Sequence, residues 1–337
     1  MPTAKALHFV DFLGPVHAGE QVLLNTTAVQ LNLGTGGYHF VIWRAEAGEQ
    51  ERVDPGHIMK LRYTPWQFPV LAVEEPDSPY HREMAAADSL AGRPVVALSL
   101  HSQLAPAVLA CRQAAGERPI RLAYVMTDGA ALPMSFSQQV QQLRKLGLLD
   151  VTVTVGHAFG GDIEAVGIHS GLLAAAIVGR ADIILAGMGP GIVGTDTRWG
   201  TTALEQAFLL DAADALGGRP VAVVRLSGAD PRPRHRGASH HTLTVLGRAV
   251  HARCEVALPQ LDDAPLQSQI LEQVTEAGIP SRHHLVWLPV LSAILDEAER
   301  IGLGLQSMGR TARTDPLPFL AAAAAGQWAA QLGTGER

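Results

Sequence analysis

The chain has 337 residues, of which 47% are hydrophobic and 17% are charged, and its formal net charge is −6. This length allows one large domain and a smaller module, and the composition excludes an intrinsically disordered chain. The acidic balance argues against a nucleic-acid partner. No apolar stretch reaches the about 20 residues that a membrane-spanning helix needs, so we expect no membrane partner. The first residues lack a signal-peptide pattern, which predicts a cytoplasmic protein.

Residues 1–75 differ in pattern from the rest of the chain. Their short alternating runs of apolar and polar residues are separated by glycine and proline turns, and these runs are Ala6–Phe12, Gln21–Thr27 and Tyr38–Arg44. Alternation with a period of two, punctuated by such turns, is typical of β-hairpins. We therefore predict a small antiparallel β-module over residues 1–75.

From residue 76 the pattern changes to apolar strand, polar loop and helix. The predicted strands are Pro94–Ser99, Ile120–Met126, Asp150–Val155, Ala181–Ala186, Pro220–Leu226, Glu255–Leu258 and His284–Leu288. The predicted helices are Ala105–Ala115, Ser137–Leu146, Ile163–Val178, Thr202–Leu216, His240–Val250, Leu266–Ala277 and Leu291–Gly302. This alternation predicts an α/β domain over residues 76–337 with a mainly parallel, doubly wound sheet of about seven strands. An alanine-rich C-terminal helix is expected to pack across an edge of that sheet.

The loops after the first five of these strands carry the polar residues of the domain, whereas the return connections are short and bland. Ligands bind beyond the carboxyl ends of the strands in an open parallel sheet, so the crevice formed by these loops is the predicted site. His101, Asp128 and His157 stand on its rim. Asp128 and His157 are candidate acid/base residues and His101 is a candidate substrate ligand.

The loop after the fourth strand is rich in glycine. Its candidate substrate-binding residues are Gly187, Gly189, Gly191, Gly194, Thr195 and Thr197. Backbone amides in such a loop can surround an anion, although the glycines could also serve backbone geometry alone. Positions 189, 191 and 194 spell G-x-G-x-x-G, but no helix follows directly and the next strand does not end in an acidic residue. This context disfavours NAD and FAD.

A basic, histidine-rich segment follows the fifth strand. Arg232, Arg234 and Arg236 can each donate two parallel hydrogen bonds to a carboxylate or phosphate. His240 and His241 fall in the first turn of a predicted helix, where the helix dipole favours neutral imidazole, so both are candidate catalytic residues. Adjacent helical residues diverge by about 100°, and we expect at most one of the two to face the site. A solvated basic loop is the alternative interpretation.

A metal site is a further hypothesis. His157, Asp162 and His235 could provide nitrogen and oxygen ligands for a divalent transition metal, and Glu164 and one of His240 or His241 are further candidate ligands. None of the spacings is diagnostic, and Asp162 could equally act only as the N-cap of the helix that follows it.

Several longer motifs resemble the bacterial domain-of-unknown-function 3866 family. They lie at 22–40 (VLLNTTAVQLNLGTGGYHF), 57–64 (HIMKLRYT), 73–78 (VEEPDS), 126–133 (MTDGAALP), 156–166 (GHAFGGDIEAV), 187–200 and 234–244 (RHRGASHHTLT). The resemblance runs from about residue 6 to about residue 300 and implies no activity or catalytic residue. It implies that relatives begin with further β-strands, so we expect the N-terminal module to be incomplete.

The sequence alone leaves three functions open. The first is an enzyme that acts on a small anionic metabolite, bearing phosphate or carboxylate, at the carboxyl ends of the parallel strands. The second is a metal-dependent hydrolase that uses a His/Asp site. The third is a non-catalytic protein that senses a metabolite or binds a partner. The surplus of apolar residues leads us to expect a homo-oligomer.

Overall fold

The computed structural model describes residues 3–33, 36–46, 55–289 and 292–333. It divides the chain into two units, Met1–Val70 and Leu71–Arg337, whose boundary lies near the predicted one. Within the described residues, no helix combines the length and the apolar character needed to cross a membrane.

The first unit is a small β-rich module. Its elements are β1 (Lys5–Leu7), α1 (Val10–Leu13), β2 (Val22–Asn25), α2 (Thr27–Gln30), β3 (Tyr38–Arg44), β4 (Ile58–Lys60) and β5 (Phe68–Val70). Strand β3 lies between β1 and β2, antiparallel to β2 but parallel to β1, and β4 pairs antiparallel with β5. The three-stranded sheet is therefore mixed, whereas hairpins alone would have made it antiparallel. The predicted strand Ala6–Phe12 ends early because α1 occupies its second half.

The second unit contains the predicted parallel sheet, with eight strands. They are β6 (Pro94–Ala97), β7 (Leu122–Thr127), β8 (Val151–Thr154), β9 (Ile163–Glu164), β10 (Ile183–Met188), β11 (Arg219–Val223), β14 (Glu255–Pro259) and β15 (His284–Leu288). Their order is β15-β14-β11-β6-β10-β7-β8-β9, and every neighbouring pair is parallel. Two small antiparallel pairs stand apart from it: β12 (Leu226–Ser227) with β13 (Gly237–Ala238), and β16 (Gln306–Ser307) with β17 (Arg310–Thr311).

Helices cover both faces of this sheet. They are α3 (His81–Ala86), α4 (Leu104–Ala115), α5 (Gln138–Lys145), α6 (Ile168–Ile177), α7 (Glu205–Ala215), α8 (His240–Thr244), α9 (Ala264–Glu276), α10 (Ile279–Arg282), α11 (Ala293–Arg300) and α12 (Leu317–Leu332). Short 3-10 turns precede α4, α5 and α7 and cover Pro233–His235, and a π-helical turn, Val245–Ala249, continues α8.

The alternation of side chains along each strand builds two hydrophobic cores. In β10, Ile184 and Ala186 belong to the core that contains α6 and α7, whereas Ile183 and Leu185 belong to the core that contains α4 and α12. A strand that is buried on both faces must be apolar at every position, which is why these runs are continuous in the sequence. The doubly wound α/β class is thus confirmed.

Two local predictions were wrong, and a third was correct except for its bounds. Residues 163–164 form strand β9 and the helix begins only at Ile168, because Ile163 and Glu164 pair with β8. Helix α12 lies over β6, β11 and β14 and against α4, in the middle of a face and not across an edge. The predicted helix Leu291–Gly302 is present as Ala293–Arg300, and Leu291 lies outside the described residues.

The strand order fixes where a ligand crevice can form. The chain leaves β6 through α4 on one face and enters β7, and it leaves β10 through α7 on the other face and enters β11. Since β6 and β10 are neighbours, their loops diverge to opposite faces at the carboxyl edge. Such a switch point is where open α/β sheets bind ligands.

Candidate functional site

A cavity of about 140 Å³ lies at this edge of the sheet. Its walls come from the glycine-rich loop after β10, the end of β11 and the loop after it, and a turn near the C-terminus. The lining residues are Ile192, Gly194, Thr195, Arg225, Arg232, Arg234, His235, His241 and Met308. We use the term Arg–His cluster for Arg225, Arg232, Arg234, His235, His240 and His241.

Backbone pairing brings the cluster together. Strands β12 and β13 follow Arg225 and pair with each other, so residues 228–236 form a loop between them. The pairing brings the chain after this loop back beside Arg225. The amide of Ser239 then donates to the carbonyl of Arg225 at 2.9 Å, and the amide of Arg225 donates to the hydroxyl of Thr242 at 2.9 Å. Ser239 is the N-cap of α8, as predicted, and its hydroxyl accepts from the amide of His241. The first turn of α8 is therefore fixed beside Arg225, which follows the end of β11 by two residues.

Two arginines are held by carboxylates below the cavity. The guanidinium of Arg232 donates two hydrogen bonds of 2.9 Å to the carboxylate of Asp230, and Arg310 donates a third, also of 2.9 Å. Arg310 also contacts Asp315 at 3.0 Å. The hydrogen bonds from Arg232 hold the pKa of Asp230 well below its usual range. Asp230 is buried, so it fixes Arg232 in place without being open to a ligand.

Arg225 forms no ion pair with a carboxylate of the residues that the structure describes. Its side chain is buried, with the residue 6% exposed, and its Nη1 lies 3.5 Å from Nδ1 of His241. Its Nη2 is buried and has no hydrogen-bond partner among the described residues. Burial, followed by the charge of Arg232, lowers the pKa of Arg225 to about 10. A buried guanidinium in this state costs free energy that an anion would recover.

Burial and nearby positive charges lower the pKa of all three histidines of the cluster, which favours their neutral form. Burial, with the nearby charge of Arg225, lowers the pKa of His235 to about 3. Burial and the neighbouring His240 lower the pKa of His241 to about 4, and burial and Arg234 also lower the pKa of His240. Neutral imidazoles can accept a proton or donate a lone pair, which imidazolium cannot. Only His241 of the adjacent pair lines the cavity, although both rings belong to the cluster.

The second half of the glycine-rich loop forms part of the cavity wall. A Cβ on Gly194 would lie 3.2 Å from Cε1 of His241, so glycine allows the loop to approach the imidazole closely. Thr195 lines the cavity, and its hydroxyl bonds to that of Thr197 at 2.9 Å. Asp196, between them, pairs with Arg234 at 2.5 Å and ties the loop to the arginine segment. The wall beside His241 is therefore backbone and hydroxyl groups.

The first half of the loop has packing roles. A Cβ on Gly187 would lie 2.9 Å from Cβ of Leu98, and one on Gly189 would lie 2.5 Å from the carbonyl oxygen of Ala131. Gly191 has a φ of +117°, which only glycine adopts readily. These three glycines serve backbone geometry, the alternative that the sequence left open, and they do not line the cavity.

Asp128 and His157 form a separate group at the ends of β7 and β8. The carboxylate of Asp128 accepts a hydrogen bond of 2.9 Å from the amide of His157. Nearby, Glu205 at the start of α7 accepts a hydrogen bond from the hydroxyl of Thr127. Burial, and the charge of Asp128, raise the pKa of Glu205. This acidic group does not line the cavity of the Arg–His cluster.

Two other predicted site residues, His101 and Asp162, make structural contacts, and a third, Arg236, lies outside the cavity. His101 bonds Ser137 at 2.6 Å through Nε2 and Tyr124 at 3.2 Å through Nδ1, so both ring nitrogens are occupied. Asp162 accepts from the amide of Thr152 and pairs with Arg144, away from His157 and His235. Arg236 is exposed and does not line the cavity.

The family of the chain follows from a sequence comparison. A family model described as "Protein of unknown function (DUF3866)" matches residues 5–326. The chain belongs to the DUF3866 family. This confirms the resemblance inferred from the motifs, all of which lie inside the matched range. No curated protein and no solved structure matches this DUF3866 chain.

Sequence reasoning about this DUF3866 member did not single out Arg225 as a site residue. The signal was available, because Arg225 interrupts the apolar run Pro220–Leu226 one residue before its end, and a charged residue inside a predicted buried strand requires a partner. Arg310, Asp230 and Met308 were also missed. Met308 and Arg310 come from a distant part of the sequence, and only the fold shows that Met308 lines the cavity and that Arg310 bonds Asp230.

Proposed function

We propose that the protein is an enzyme that acts on a small anionic metabolite bound by the Arg–His cluster. The observation that carries the proposal is Arg225, a buried guanidinium with an unpartnered Nη2 at the wall of the cavity. Arg232 and Arg234 line the same cavity, so an anionic group there would meet three guanidinium side chains. A hydrogen bond between charged groups in such a setting is worth more than one between neutral groups.

The size and chemistry of the cavity favour an anionic group over a large ligand. Its volume of about 140 Å³ is below the range of about 300–1,000 Å³ that is typical of cavities for drug-sized molecules. The phosphate or carboxylate end of a metabolite would occupy it, with the remainder extending outwards. His241, in the cavity wall and with a lowered pKa, supports an enzyme, because a neutral imidazole beside a bound anion can act either as a general base or acid or as a metal ligand.

Replacing Arg234 with alanine tests the proposal. We expect Arg234→Ala to weaken the binding of inorganic phosphate or malonate by about 1.5–3 kcal/mol, because a charged hydrogen bond to the anion is lost. Isothermal titration calorimetry of the full chain measures this change. Arg236→Ala is the matched control. Arg236 carries the same charge and lies two positions along the chain, but its side chain is exposed and does not line the cavity.

The control should change the affinity by less than about 0.5 kcal/mol, because long-range attraction between exposed charges is screened. Equal losses in the two variants would mean that only the net charge matters. An unchanged affinity in Arg234→Ala, or no binding of any small anion by the unmodified protein, would remove the assignment.

A further inference from the structure

The three imidazoles of the Arg–His cluster meet at one point. The ring centroids of His240 and His241 are 4.2 Å apart, and that of His235 lies 4.9 Å from the first and 5.2 Å from the second. One ring nitrogen from each histidine lies within 4.8 Å of the other two. Within the described part of the chain, this is the only such group of three potential metal ligands.

The local backbone explains this convergence. His235 ends the 3-10 turn Pro233–His235, and α8 begins five residues later with His240 and His241, after the short strand β13. Adjacent side chains on a helix diverge, but the ring of His235 lies close to the ring of His240 and to the ring of His241. The three rings can therefore share one ligand. The hydroxyl of Ser239 bonds Nδ1 of His235 at 2.8 Å, which orients that ring and leaves its Nε2 for another partner.

Two of the ring nitrogens have no partner. Nε2 of His240 and Nε2 of His241 are buried, and neither has a hydrogen-bond partner among the described residues. His241 is 5% exposed, so bulk water does not compensate for the missing bond. A buried polar atom left unsatisfied costs about 1–3 kcal/mol. Two such nitrogens, side by side and next to a third imidazole, indicate a shared ligand.

We propose that His235, His240 and His241 bind one divalent transition-metal ion of the zinc class. Three nitrogen ligands without a carboxylate or thiolate favour Zn²⁺, Co²⁺, Ni²⁺ or Fe²⁺ over Mg²⁺ and Ca²⁺, which prefer oxygen. A histidine that binds a metal usually bonds through its other ring nitrogen to a group that orients the ring. The hydroxyl of Ser239 has this role for His235. This ligand set differs from the mixed set suggested by the sequence, because it contains no carboxylate and does not include His157.

The neighbouring arginines determine how the metal binds. The three guanidinium groups beside the histidines repel a bare cation. An anion that contacts both the guanidinium groups and the metal ion would remove that repulsion. The contact of 3.5 Å from Arg225 to Nδ1 of His241 is at the long limit for a hydrogen bond. It can give way when Arg225 turns to an anion. We therefore expect metal and anion to strengthen each other's binding.

The test uses the full chain, stripped of metal with a chelator and then titrated with Co²⁺. We expect one equivalent of Co²⁺ and a visible absorption band typical of nitrogen ligands in a site of low coordination number. His240→Gln should weaken Co²⁺ binding by more than the about 10–100-fold that is typical of second-shell changes. His251→Gln is the matched control, because His251 is exposed and lies outside the cluster. It should bind Co²⁺ as the unmodified protein does.

Other outcomes overturn the proposal. Sub-stoichiometric binding, or equal affinity in the unmodified protein and His240→Gln, would show that these imidazoles do not hold a metal. If His240→Gln does not fold, X-ray absorption of the zinc-loaded unmodified protein decides, since the proposal requires three imidazole nitrogens around the ion. Sulfate titrated into metal-free protein tests the anion site separately. Sulfate binding without metal binding would refute only the metal site, and the reverse result would refute only the anion proposal.

Discussion

Replacing Arg225 with methionine is expected to abolish the stabilisation of the protein by anions without lowering its stability in anion-free buffer. Methionine fills a similar volume and removes a buried charge whose Nη2 is unpartnered. Replacing buried charges with apolar side chains of similar size is often neutral or stabilising by about 1–4 kcal/mol. The backbone bonds of residue 225 to Thr242 and Ser239 do not depend on the side chain.

With a bound anion, the unmodified protein should be more stable than Arg225→Met. A ligand at a hundred times its dissociation constant stabilises the native state by about 2.7 kcal/mol, and the variant should gain almost none of this. Denaturant unfolding of both proteins, with phosphate and with chloride at the same ionic strength, measures the difference. Arg219→Met is the matched control, because Arg219 is exposed at the start of β11, and the other end of that strand leads towards Arg225. A variant that keeps its stabilisation by phosphate would contradict the role given to Arg225.

Replacing Gly326 with alanine is expected to destabilise the protein by about 2–4 kcal/mol, the upper range for an overpacked core. A Cβ at position 326 would lie 2.2 Å from the carbonyl oxygen of Ala107 and 2.9 Å from its carbonyl carbon. Both atoms belong to the backbone of α4, so no side-chain rotation relieves the contact. Helix α12 would have to move away from α4, opening the core on that face of the sheet.

Helix propensity predicts the opposite sign for this substitution. Alanine is favoured over glycine by about 1 kcal/mol inside a helix, so without the contact the variant would be more stable. Gly333→Ala is the control at the end of the same helix, where a Cβ would come no closer than 3.6 Å to its neighbours. We expect a change within about 0.5 kcal/mol there. A stabilised Gly326→Ala protein, by thermal or denaturant unfolding, would show that α4 and α12 are not packed this closely.

The strands of the main sheet could be predicted because burial on both faces requires unbroken apolar runs. His284–Leu288 was predicted with its observed bounds. Strand β9 could not be predicted, because a strand of two residues is too short to show an alternation of apolar and polar residues. Its conformation is decided by its pairing with β8. Once Ile163 and Glu164 pair with β8, Asp162 no longer precedes a helix, and its carboxylate bonds Thr152. The position of α12 was also missed, since the close fit of Gly326 to Ala107 involves residues far apart in the sequence.

Part of the candidate site could be predicted for a similar reason. Polar loops at the carboxyl ends of parallel strands must share one edge, and the structure brings Gly194, Thr195, Arg232, Arg234, His235 and His241 to one cavity. The same rule placed Asp128 and His157 at that edge, but not in that cavity. Strand order, which the sequence does not specify, separates the loops after β7 and β8 from the loop after β11. His101 was misinterpreted because its partners, Ser137 and Tyr124, become neighbours only in the fold.

A crystal structure of the protein grown with phosphate or sulfate tests the central claim most directly. We expect a tetrahedral anion in the cavity, within hydrogen-bonding distance of Nη2 of Arg225 and of Arg232 or Arg234. The guanidinium of Arg225 should turn towards the anion and away from His241. An empty cavity at an anion concentration that saturates other sites, with anions bound only on the outer surface, would contradict the account.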